Sequence, residues 1–74
     1  MELKTFKEKY NQLLAREKKA ESYLMNEKVP LEEREKWIAE YIRIVQQLGQ
    51  MIYEYKQGGN QITVEEQLNG FKEV

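Results

Sequence analysis

Leu31 to Tyr55 is the stretch that most restricts what this chain can become, because its apolar residues recur with a single period. Leu31, Ile38, Tyr41, Val45, Leu48, Ile52 and Tyr55 follow alternating steps of three and four residues, with Arg34 alone interrupting. That is a heptad seam on a helix and does not fit the two-residue alternation of a strand. Trp37, Ile44 and Met51 form a second row along one side of the seam, and Ile42 lies on the other. At 100° per residue the arc from Met51 to Ile42 spans about 180°, against the roughly 100° that one packing surface calls for. A single neighbouring helix cannot cover it, so the pattern predicts partners beyond the hairpin.

The first third of the chain supplies one neighbour. Leu3, Phe6, Tyr10, Leu13, Ala20 and Leu24 keep the same alternation, with Glu17 on the seam and Leu14 beside it, which predicts a first helix over about residues 3–27. Asn26 and Pro30 bracket the break: asparagine tolerates the left-handed conformation of a helix end, and proline pushes Val29 out of the helical region and suits a helix start. Glu32 and Glu33 then place negative charge at the positive end of a second helix over about 31–57. So short a turn between two helices of similar length implies an antiparallel hairpin. In the register that follows, Ala20 faces Ile38 with Trp37 alongside, Leu13 faces Val45, Phe6 faces Ile52, and Glu17 lies near Tyr41.

Gly58-Gly59-Asn60 ends the second helix, since glycine and asparagine supply the positive-φ positions that a helix end requires. Within residues 58–74, Thr63 and Glu66 read as a capping box, and Gly70 could close a helix of about six residues. A strand over 61–64 is the competing reading. So short a helix is unstable alone and must dock on the hairpin, bind a partner or stay disordered.

Seventy-four residues make at most one small domain, of a size at which association often supplies missing stability. Without cysteine, no disulfide or thiolate metal site can staple it. The expected fold is therefore all-α: a coiled-coil-like antiparallel two-helix hairpin over 1–57 that self-associates, as a homodimer, into a four-helix bundle, with 58–74 as a flexible or docked C-terminal tail. Trp37, Ile44 and Met51, with Ile38, Val45, Leu48 and Ile52, are the expected self-association residues. Glu17 and Arg34, charged at seam positions, and Tyr41 opposite Glu17 are the expected register residues, because a polar seam residue costs stability and fixes pairing. Arg34 has a plainer reading as well, in which it snorkels to water over its own apolar stem.

Histidine and aspartate are also absent, which removes the usual general base, the zinc ligands and the acid of most catalytic triads. Ser22 is the only serine and lacks an activating neighbour, and Gly58-Gly59 has neither the spacing nor the lysine of a phosphate loop. No enzyme, cofactor or metal is expected. The chain instead reads as a protein-interaction module, such as an adaptor, an assembly factor or an inhibitor of a host protein, of the size of small phage or mobile-element accessory proteins. Tyr53, outside the apolar arc, and the tail residues Ile62, Val64, Leu68 and Phe71 are the expected partner-binding patch, unless the tail folds back as a lid.

Two other functions stand beside it. Lys4, Lys7, Arg16, Lys18 and Lys19 could make the first helix a phosphate-contacting surface, although 12 basic residues against 13 acidic ones, and the interleaved Glu2, Glu8, Glu17 and Glu21, dilute that field. A purely structural coiled-coil element of a larger assembly is the third. No apolar run resembles a signal peptide and no 18-residue apolar stretch could span a bilayer, so the expected location is cytoplasmic, with no membrane partner.

Overall fold

The computed structural model describes residues 2–72. It is all-helical, and among the described residues there is no strand. Helix α1 runs Leu3–Leu24, α2 runs Leu31–Gln57 and α3 runs Val64–Asn69. The two long helices pack antiparallel, as three cross-helix pairs record. Phe6 near the start of α1 stacks on Tyr55 near the end of α2, Arg16 meets Glu40 at mid-length, and Tyr23 stacks on Trp37 beside the turn.

α1 stops three residues earlier than its periodicity suggests, because Asn26 builds a turn instead of continuing the helix. Its side chain accepts from the Lys28 N–H at 3.0 Å, and its carbonyl accepts from the Val29 N–H at 3.2 Å. Pro30 is the N-cap of α2 with extended backbone, and its carbonyl accepts the first helical hydrogen bond, from Arg34. At the other end, Gly59 adopts φ +86° while its N–H bonds to Lys56 and that of Asn60 to Tyr55. This paired closure is a Schellman motif, which L-residues with a Cβ reach only under strain. The chain is thereby turned back along the hairpin.

α3 begins as the sequence predicts. Thr63 accepts from the Glu66 N–H at 3.0 Å, and the Glu66 carboxylate accepts from the Thr63 N–H at 2.9 Å. The tail is docked. Phe71, only 5% exposed, enters a core made with Phe6, Tyr10, Leu14, Ile44 and Leu48. Its ring stands edge-on to those of Phe6, Tyr10 and Tyr55 at 6.1, 5.4 and 5.8 Å. Burying a side chain of this size contributes roughly 1.5–3 kcal/mol, and edge-to-face pairs add about 0.5–1.5 kcal/mol. That anchoring holds a helix too short to persist unaided.

The tail also changes which faces are inside. α1 buries Leu14, whereas Leu13 is only half-buried. The α2 face that packs on α1 centres on Ile44, 2% exposed, and Leu48. Trp37 and Met51, flanking Ile44 in the same row, are half-buried. Val45 and Ile38, expected opposite Leu13 and Ala20, are 43% and 45% exposed, so the hairpin does not enclose them. The tail explains the shift. Gly70 lies so near Leu14 that an added Cβ would come within 3.5 Å of its Cδ2, so the third segment covers the Leu14 flank of α1 and moves the core toward it.

Candidate functional site

What the fold leaves uncovered on α2 is a continuous apolar strip. Ile38, Ile42 and Val45 are 45%, 51% and 43% exposed, Leu31 extends the line toward the turn, and Tyr53, 61% exposed, extends it toward the far end. Steps of four and three residues set these side chains one above another. Gly49 falls in the same line between Val45 and Tyr53, and it too is exposed. In a helix interior glycine costs about 1 kcal/mol relative to alanine. A Cβ there would meet nothing within 4 Å among the described residues, so none of them requires the glycine. Glu35, between Leu31 and Ile38, and Lys56, just past Tyr53, fall on the same line, both exposed.

The strip overlaps the self-association residues read from the sequence only in part. Ile38 and Val45 are on it. Ile44 and Leu48 are not available to a second copy, since α1 and the tail already cover them, while Trp37, Met51 and Ile52 are half-buried. The excess apolar arc is real, but it surfaces on the Ile42 edge and not along the Trp37–Ile44–Met51 row. Tyr23 explains part of this, because its ring lies flat on the Trp37 indole at 4.7 Å and occupies that side of the groove.

Of the tail residues expected to bind a partner, Phe71 is in the core and Ile62 is half-buried against it, because the docked tail turns both inward. Val64 and Leu68 remain exposed, one turn apart on the outer side of α3. Two polar interactions that the sequence reading missed hold the tail in place. The Tyr10 hydroxyl donates to the Gln67 carbonyl at 2.7 Å, and the Asn11 carboxamide pairs with the main chain of Phe71. Burial, with a smaller contribution from the Glu17 carboxylate, raises the Tyr10 pKa. The Lys7 ammonium stands 5.4 Å from the Phe71 ring centre.

The expected register residues form contacts within the hairpin. Tyr41 is half-buried, and its pKa is raised by desolvation first and then by the nearby Glu17 and Glu21 carboxylates. Arg34 reaches back across the turn, its Nη2 donating to the Asn26 carbonyl at 2.9 Å. It therefore ties the start of α2 to the end of α1.

The basic side of α1 is partly engaged. Arg16 pairs with Glu40 at 2.7 Å, a carboxylate that Arg43 approaches at 3.6 Å, and Lys7 lies over Phe71. On the face away from the tail, an open groove of about 420 Å³ has Leu13 and Met51 as its floor and Lys9, Arg16, Gln47 and Gln50 along its rim. Among the described residues no group of three or more acidic, histidine or cysteine side chains could hold a metal ion, and no helix is long and apolar enough to cross a membrane. Comparison with protein-family models, curated proteins and solved structures gave no match for the chain.

Proposed function

We propose that this chain is a non-enzymatic helical protein-interaction module that works as a self-associated scaffold, two hairpins joining through α2 into a four-helix assembly able to serve as an adaptor, an assembly factor or an inhibitor. The observation that carries this reading is the strip of Ile38, Ile42 and Val45, roughly half exposed on a helix that buries only Ile44 and Leu48 against its own chain. Contiguous exposed apolar surface of this kind marks an interaction site more often than isolated surface hydrophobes do. The composition supports it from another direction: a chain without histidine, cysteine or aspartate has few groups with which to do chemistry near neutral pH.

Sedimentation at micromolar concentration tests the proposal on the full chain beside Ile42→Lys. The expected result is a dimer for the former and a monomer of unchanged helicity for the latter. A full chain that sediments as a compact monomer throughout that range overturns the reading.

A further inference from the structure

We infer that the strip on α2 is the seat of a second copy of this chain lying antiparallel to the first, with the partner's Gly49 receiving Ile42. This rests on the self-association reading and names its geometry.

Three features of one helix point to this occupant. The first is charge. Glu35 and Lys56 bracket the section of the exposed line from Ile38 to Tyr53, so a parallel pair in register would stack Glu35 on the partner's Glu35 and Lys56 on the partner's Lys56. Turning the second helix end for end, about an axis between Val45 and Gln46, replaces both repulsions by attractions. Glu35 then meets the partner's Lys56, and by symmetry the partner's Glu35 meets Lys56. Like charges facing one another oppose association and opposite charges set its orientation.

The second feature is Gly49, whose missing side chain no contact among the described residues explains. The same rotation brings Ile42 against the partner's Gly49 on each side of the axis. A glycine there lets the two backbones approach and gives the branched side chain a place to sit. The third is the pair left over. Ile38 falls opposite the partner's Tyr53, so the aromatic ring exposed on one chain covers the aliphatic side chain exposed on the other, and Val45 packs at the axis. Each exposed apolar member of the strip between Glu35 and Lys56 thus gains a counterpart from the one symmetry operation, as a two-fold interface requires.

Because the chain has no cysteine, a single Glu32→Cys substitution carries one nitroxide label per copy. In the antiparallel dimer the two labels lie roughly 40 Å apart along the axis at 1.5 Å per residue. In a parallel pair they are separated only by the helix spacing of about 10 Å and the label arms, roughly 20 Å in all. A pulsed dipolar distance near the longer value is the expected result. Gly49→Gln is expected to weaken self-association at least tenfold without loss of helicity, since the monomer has open space there. Glu35→Lys weakens it several-fold, and adding Lys56→Glu restores it.

A dimer that Ile42→Lys dissociates, but whose labels lie at the shorter distance, overturns the antiparallel register while leaving self-association standing. Retention of full affinity by Gly49→Gln overturns the seat assigned to Ile42. A chain that never dimerises overturns both this inference and the reading beneath it.

Discussion

The carboxamide of Asn11 and the main chain of Phe71 meet at two points: Nδ2 donates to the Phe71 carbonyl at 2.9 Å, and Oδ1 accepts from the Phe71 N–H at 2.7 Å. The side chain thus stands in for a neighbouring strand and satisfies both polar groups of a backbone unit that must enter an aromatic core. Asn11→Leu removes both bonds and leaves a part-buried donor and acceptor unpaired, at about 1–3 kcal/mol. Urea unfolding should show that loss, and amide exchange should quicken first in α3.

Phe71 itself should be worth more. Phe71→Ala removes the ring that meets Phe6, Tyr10 and Tyr55, and substitutions of this kind cost about 3–5 kcal/mol. Small domains have only about 5–15 kcal/mol in total. The expected outcome is a tail released from the hairpin and a markedly lower melting temperature, read by circular dichroism together with protease sensitivity after Gly59.

Two glycines should respond to alanine with opposite signs. Gly70 has φ +88°, and an added Cβ would lie 2.6 Å from Asn11 Oδ1, so Gly70→Ala both strains the backbone and displaces the carboxamide that holds Phe71. Gly49 is helical with open space around it, so Gly49→Ala should raise the stability of the monomeric Ile42→Lys background by about 1 kcal/mol. Equal effects in thermal melts of the two variants would contradict this contrast.

The pH dependence lies on the alkaline side. Burial first and Glu17 second hold the Tyr10 phenol above its ordinary value, and the folded state therefore binds that proton more tightly than the unfolded chain does. The stabilisation is fully present below the unfolded tyrosine value of about 10 and is lost as pH rises through the higher folded value. Tyr41, raised for related reasons, adds to the same window. Melting temperatures measured upward from neutral pH should begin to fall near pH 10, and Tyr10→Phe should flatten that fall.

The elements of this fold were legible because each has a local cause. The three-four spacing specifies both long helices, Asn26 and Pro30 specify the turn, Gly58-Gly59-Asn60 specifies the second stop, and Thr63 with Glu66 specifies where α3 starts. Which side of each helix would be covered was less legible. A 180° arc says how much apolar surface exists but not which neighbour lies on which edge, and the deciding neighbours were Tyr23, facing Trp37, and the tail, facing Leu14. The Asn11 pairing joins residues 60 apart in sequence and leaves no periodic trace. One cue was available: asparagine is a poor residue for a helix interior and competes for backbone partners, so its place beside Tyr10 invites the question of what it holds.

Phe71 also orders events in time. It completes a cluster whose other rings come from residues 6, 10 and 55, so the interior cannot close until the last-made of these four side chains has docked. Until then the rings of Phe6, Tyr10 and Tyr55 lack the edge-on partner they share, so arrival of the tail is the step that closes the aromatic cluster.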